Sequence, residues 1–158
     1  MRLDIPQDLT FVTLLAPAAD AAGRSSAFVS LKNAVKAWIV VFVDQANAAT
    51  IALTPNQASA VAGTGAKAIA AARIWSKLDH ANSAWVKETE AAAFTTDAAT
   101  KNKWVVFEIE PTKCLDVAGD FDCVRVTTGA SNVANITSAF LIAQMKHAGA
   151  TTESVLVD

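Results

Sequence analysis

The chain has 158 residues, enough for one domain with a real core, although alanine supplies much of its 53% hydrophobic content. Its net charge is −2, and its lysines and arginines are scattered singly, so it lacks the electrostatic footprint of a protein whose main partner is DNA or RNA. Two long uncharged spans, 45–66 and 126–145, are broken too densely by Asn, Thr, Ser, Gln and Gly for lipid-spanning helices, which argues against a membrane partner.

Residues 1–23 open with Pro6 and mixed polarity and read as an extended N-terminal arm. Within them "LTFVTLLAPA" resembles a short signal core. Asp4 and Asp8 stand where positive charge would be expected, so the segment reads as mature sequence of a soluble, non-secreted protein. Residues 11–15 are either a first strand or an adhesive tail. "SSAFVSLK" follows, with a turn at 33–34, and then "KAWIVVFVDQANAATIALT" over 36–54.

Two apolar segments around a polar linker predict a β-hairpin there. Its first arm, 38–43, is apolar at every position, whereas a surface strand alternates. This predicts a central strand covered on both faces. One stripe is Ile39, Val41 and Val43, and the other is Trp38, Val40 and Phe42. The core takes one stripe and a further layer or a neighbouring subunit takes the other; spacing does not say which.

"TPNQASAVAG" carries a helix signature over 54–63. Thr54 stands as N-cap, Pro55 at the first helical position, Gln57 where a capping box wants it, and Gly63 as terminator. The alanine-rich middle, 69–95, has helix propensity without a sustained apolar stripe and reads as irregular strands. "KWVVFEIE" (103–110) alternates and is ended by Pro111. "FDCVRVTTGA" (121–130) and "ITSAFLIAQM" (136–145) are further strands, joined by turn-forming residues. About eight short strands and one short helix predict a mainly β chain. The expected fold is an antiparallel β-sandwich, jelly-roll-like, over 24–147, with a tail at 148–158.

Groups able to transfer protons or attack are sparse, so the chain is not expected to be an enzyme. His80 and His147 lie in a polar loop and near a strand end, with no relay around them. Neither histidine spacing nor a calcium-type loop points to a metal, and no cofactor is expected. Asp116, Asp120 and Asp122 can be explained by an acidic turn around Gly119 as well as by a hard cation. "GTGAK" (63–67) has the wrong spacing for a phosphate loop. Glu88/Glu90 and Glu108/Glu110, each two apart, would share a strand face. Cys114 and Cys123 match no zinc pattern and read as reduced, semi-buried thiols, with a disulfide across 115–122 as the alternative. Trp38 and Trp104 lie in strong strands and suggest packing. Trp75 and Trp85 are the candidates for exposure, either as a sugar platform or as a subunit contact.

Three stretches, "AFVSLKNAVKAWIVVFVDQANAATIALTPNQASAVAGTGAKAI", "FTTDAATKNKWVVFEIEP" and "LDVAGDFDCVRVTTGASNVANITSAFLIA", resemble a family of small structural proteins of tailed bacteriophages that are encoded among head genes. The resemblance covers about 27–143. It implies a head decoration (cement) protein: a β-sandwich that forms a homo-oligomer, a trimer, on the outer surface of the capsid. Its partner would be the major capsid protein, its place the virion after synthesis in the host cytoplasm. The candidate contact residues are Ile5, Leu9, Phe11 and Val12 in the arm, Trp38, Val40 and Phe42 in the apolar strand, and Trp75 and Trp85. Two alternatives stand beside it: a carbohydrate-binding β-sandwich module on the virion surface, and a tail or neck structural protein.

Overall fold

The structure, a computed structural model, describes residues 9–146. Two antiparallel sheets face each other. The first contains β1 (Leu9–Ala19), β4 (Ala34–Gln45), β7 (Arg73–Lys77), β8 (Val86–Lys87), β10 (Asn102–Ile109) and β12 (Asn135–Met145), in the order β1-β12-β4-β10-β7-β8. The second is built on β5 (Ala52–Ala58) and β11 (Cys123–Thr128), with the short β2 (Arg24–Ser25), β3 (Val29–Ser30), β6 (Lys67–Ala68) and β9 (Phe94–Thr95) at their edges. One helical turn, α1 (Pro111–Cys114), and a 3-10 turn at Val117–Gly119 complete the described elements. The chain is therefore the expected β-sandwich, and no helix among the described residues is long and apolar enough to cross a membrane.

Strand β4 lies in the middle of the first sheet, paired with β12 on one side and β10 on the other. Its stripe Ile39, Val41 and Val43 is fully buried and meets Val105, Phe107 and Ile109 of β10 and Leu141 of β12 in the core. Ile51, Leu53, Val124 and Val126 close that core from the second sheet. Each of these side chains contributes about 1.5–3 kcal/mol by leaving water.

Two local expectations are corrected. Strands β4 and β5 belong to different sheets, so 36–54 is an arch between layers and not a hairpin. The buried Asn135 side chain holds the crossing: its Nδ2 donates to the Ala49 carbonyl (2.9 Å), and its Oδ1 accepts from the Asn47 N–H (2.7 Å). The helix expected over 54–63 is strand β5 as far as Ala58 and a turn beyond it, and the register of β5 with β11 runs from Leu53↔Thr128 to Ala58↔Cys123. The inward run Ile51, Leu53, Pro55, Gln57 has period two, and burial against the opposite sheet outweighs the local capping signal. Pro55 is tolerated because it falls between the β9 pairing at 52–53 and the β6 pairing at 56–57, where β5 has no ladder on that side. The short helix lies instead at Pro111, which both ends β10 and occupies the first helical position.

One end of the sandwich is tied by buried polar groups. Asp20, fully buried, accepts from Arg24 Nε (2.9 Å), from Thr128 Oγ1 of the second sheet (2.7 Å) and from Thr137 Oγ1 of the first. Arg24 also donates to the Thr137 carbonyl (2.6 Å) and the Ala16 carbonyl (2.8 Å), so one ion pair joins β1, β12 and β11. Gly23 makes the tight turn into this pair: its φ is +72°, and a Cβ there would stand 2.6 Å from the Thr128 carbonyl. Nearby, Lys103 is fully buried on the inner side of β10, and its Nζ donates to Gln45 Oε1 (2.9 Å), the Asp97 carbonyl (2.9 Å) and the Asp97 carboxylate. All three ammonium donors are used, which makes burial of this charge tolerable.

Removing one partner of a buried pair leaves the other charge uncompensated. Asp20→Ala should lower unfolding stability by about 3 kcal/mol in urea titration. Lys67→Ala, which breaks an exposed pair with Asp116, should cost less than about 1 kcal/mol. Equal losses in the two variants would refute the clamp.

Candidate functional site

The second stripe of β4 faces outward, and the register places similar residues beside it on four other strands. Phe11 of β1, Ile142 of β12 and Trp38 of β4 form one row. Phe140, Val40, Val106 and Trp75 form the next. Phe42 and Trp104 follow, their ring centroids 4.8 Å apart. Interrupted in the same rows by Thr13, Ser138, Glu108, Arg73 and Lys77, the result is an apolar patch of nine side chains across five strands. Except for Phe11, which is 49% exposed, these side chains are half-buried by one another. Among the described residues there is no third sheet to cover them.

The other outer surface is ordinary. Thr54 and Asn56 of β5 and Arg125 and Thr127 of β11 point outward, and the Arg125 guanidinium lies 4.6 Å from the Phe28 ring centroid. The two faces therefore differ in chemistry: the first is largely apolar, and the second is polar, with Asn56 Oδ1 and Arg125 Nε buried and without a hydrogen-bond partner.

Three polar groups in this face are paired within the chain, whereas Arg73 Nε is buried without a hydrogen-bond partner. Trp75 Nε1 donates to Glu108 Oε2 (3.4 Å), and Trp104 Nε1 donates to His80 Nδ1 (2.9 Å). Glu108, largely buried beside Trp38 on β10, also accepts from Lys36 and from Arg73 Nη1 (3.3 Å). Burial pushes its carboxyl up, but the contacts from Lys36, Trp75 and Arg73 outweigh that and hold it below the ordinary glutamate range. Lys36 in turn sits 5.4 Å from the Trp38 ring centroid.

The other expected positions are distributed as follows. Leu9 and Phe11 lie on the outward side of edge strand β1, while Val12 pairs with Leu141 and packs against the core. Of the segment read as an arm, Leu9–Ala19 is thus an edge strand. Ile5 and His147 lie outside the described residues. Trp85 is 48% exposed immediately before β8, which pairs with β7 at Trp75↔Lys87, so both tryptophans stand at one sheet edge. Trp38 and Trp104, expected to pack, do so laterally on the outer face. Sequence reasoning did not single out Phe140, Ile142 or Val106 as contact residues. Phe140 and Ile142 carried the same signal as β4, apolar residues on both stripes of one strand.

The acidic turn at 116–122 serves local structure. Asp116 accepts from the Gly119 N–H (3.2 Å) and pairs with Lys67 (2.6 Å), and Asp120 adopts the left-handed conformation with φ 60°. No cluster of ligands able to hold a metal occurs among the described residues. Cys114 and Cys123 are buried and not joined by a disulfide, and burial pushes the Cys114 thiol up. A shallow cleft of about 300 Å³, lined by Asp44, Asp79, His80, Asn82 and Lys101 among others, opens at the strand ends beside Trp104.

No family model matches the chain, and no curated protein matches it in sequence. Among solved structures it is similar to the SPBc2 prophage-derived protein YomS, with 12% identity, 91% of this chain and 99% of that chain covered, and a TM-score of 0.49. It is also similar to part of the Clostridium thermocellum endo-1,4-β-D-xylanase 10B CBM22-1–GH10 modules, complexed with xylohexaose. There the identity is 11%, with 92% of this chain and 27% of that one covered, and the TM-score is 0.33.

Because the folded-state value of Glu108 is depressed, its contribution to stability is complete above the unfolded value and is lost as pH falls through the folded one. Wild type should therefore exceed Glu108→Gln in stability at pH 7, and the gap should close on acidification below about pH 4.3. A gap that is constant with pH in denaturant titrations would rule out the charged network as its source.

Proposed function

We propose that the chain is a virion structural protein of a tailed bacteriophage: a decoration (cement) protein that binds the outer surface of the head as a homo-oligomer and ties major capsid subunits together. The observation that carries this reading is the outward apolar stripe of β4 and its extension across five strands. Such a surface is made for lasting contact with other protein, since its apolar atoms gain about 25 cal/mol per Å² on leaving water. The resemblance to phage head proteins over about 27–143, which includes β4 and the arch, supports it independently. Many copies on a lattice would multiply modest single contacts into durable binding.

Of the segment read as an arm, Leu9–Ala19 belongs to the sheet, and residues 1–8 lie outside the described residues. Those residues, with Ile5, are the candidates for contact with a capsid subunit.

A second reading is a carbohydrate-binding module using Trp75 and Trp85, and the exposure of Trp85 at the sheet edge favours it. Trp75 fits it less well, since its indole N–H is already committed to Glu108. Saturable binding on a glycan array that disappears in Trp85→Ala would put this reading ahead.

Purified full-length protein should add to heads assembled without it and appear in a particle map at regular positions on the outer surface. Removal of residues 1–8 should lower occupancy without changing the circular dichroism of the sandwich. Density confined to the tail or neck would move the protein there, and no binding to particles would overturn the reading.

A further inference from the structure

The cleft at the end of the first sheet sets a wall of unpaired polar groups beside a pair of aromatic rings, and we infer that it binds a neutral pyranose sugar. The inference goes beyond the cement-protein reading and does not rest on it. It also places sugar recognition away from Trp75 and Trp85.

Three short segments, 44–46, 79–82 and 100–102, build the cleft, whose volume of about 300 Å³ lies at the small end of ligand sites. Asp44 near the end of β4 and Asn102 at the start of β10 are direct cross-strand partners. His80 and Asn82 come from the turn that follows β7, and the His80 N–H donates to the Asn102 carbonyl (2.7 Å). Asp79 braces that turn by accepting from the Ala81 and Asn82 N–H groups (3.0 and 3.2 Å). Hydrogen bonds within the chain thus hold the turn against the sheet and form the walls in advance of any ligand.

The polar capacity of these walls is unused. Nothing among the described residues pairs with the side chains of Asp44, Thr100 or Asn102. His80 Nδ1 accepts from Trp104 Nε1 (2.9 Å), so the proton of the neutral imidazole sits on Nε2, which is left as a donor. A carboxylate that accepts, an imidazole that donates, and an amide and a hydroxyl that do both therefore line one cleft.

Charge and hydrogen bonding together select the ligand. An anion would meet the unpaired Asp44 carboxylate. A cation would find that carboxylate alone, because the Asp79 carboxylate is already held by Asn82 Nδ2 (3.2 Å) and lies 3.3 Å from Lys101 Nζ. An apolar ligand would leave the walls unpaired. Sugar hydroxyls suit them, since each hydroxyl both donates and accepts. One step along the same face from Asp44 and Asn102, Phe42 and Trp104 pair with ring centroids 4.8 Å apart. They offer apolar surface to the C–H side of a pyranose ring, and the Trp104 bond to His80 ties that surface to the polar wall.

A shallow cleft leaves much of its ligand in water, so a single site should bind with a dissociation constant on the order of 1 mM. Many copies on one particle would raise the apparent affinity. The test is saturation-transfer NMR on the full chain with D-glucose, D-galactose, D-mannose and N-acetyl-D-glucosamine, with D-glucuronate as the charged control, followed by titration of tryptophan fluorescence. At least one neutral sugar should bind saturably, and D-glucuronate should bind more weakly. Asp44→Ala and Asn102→Ala, both at exposed positions, should each raise the dissociation constant at least about tenfold with an unchanged circular dichroism spectrum. Trp85→Ala should leave it as it is. If the alanine variants fail to fold, Asp44→Asn decides: it keeps the size of the side chain and should abolish the discrimination against D-glucuronate. No saturable binding by any of the four sugars, binding indifferent to the changes at 44 and 102, binding lost in Trp85→Ala, or equal binding of D-glucuronate to wild type would each overturn the inference. The cement reading fails separately, by an absence of binding to heads, and that result would leave the cleft standing.

Discussion

Everything in this fold turns on the geometry of β4, a strand with apolar side chains on both stripes. Alternation along a strand sends successive residues to opposite faces, so a continuous apolar run cannot be buried by one layer alone. Ile39, Val41 and Val43 take the interior, where they are fully buried between the two sheets. Trp38, Val40 and Phe42 are then forced outward, and the same register brings Phe140, Ile142, Val106 and Trp104 alongside. The interior packing and the outer apolar face are two consequences of one constraint.

The sandwich compensates for its short peripheral strands with polar ties at one end. Asp20 with Arg24, Asn135 with the 47–49 crossing, and Lys103 with Gln45 and Asp97 all lie where the chain passes between layers. These buried groups are hydrogen-bonded by named partners, as their removal from water demands. The second sheet turns threonine, asparagine and arginine to solvent. The first turns aromatic rings outward, and that asymmetry gives the molecule a direction.

Much of this was legible in the residues. The alternation in 103–110 marked β10, and the unbroken apolar run in 38–43 marked a central strand needing cover on both sides. Other parts were misread for identifiable reasons. Thr54, Pro55 and Gln57 have the local chemistry of a helix start, yet Leu53, Pro55 and Gln57 face the opposite sheet with period two. The linker at 46–51 looked like a hairpin turn because nothing in its length tells one sheet from the other. The buried Lys103 sat in a strand that otherwise alternated plainly, and its partner Asp97 is reached only through the fold.

The sequence by itself determined the fold class, the central place of β4, and the presence of apolar surface in excess of what one core can absorb. These follow from periodicity and composition, which are local properties. Only the tertiary structure decided which stripe of β4 faces the core and which faces out. It alone gathered Phe11, Trp38, Trp75, Trp104 and Ile142 into one surface. The reason is that strand pairing joins residues far apart in the chain. A strand carries its own alternation, but its neighbours, and so the face it helps to build, are set by the register of the sheet.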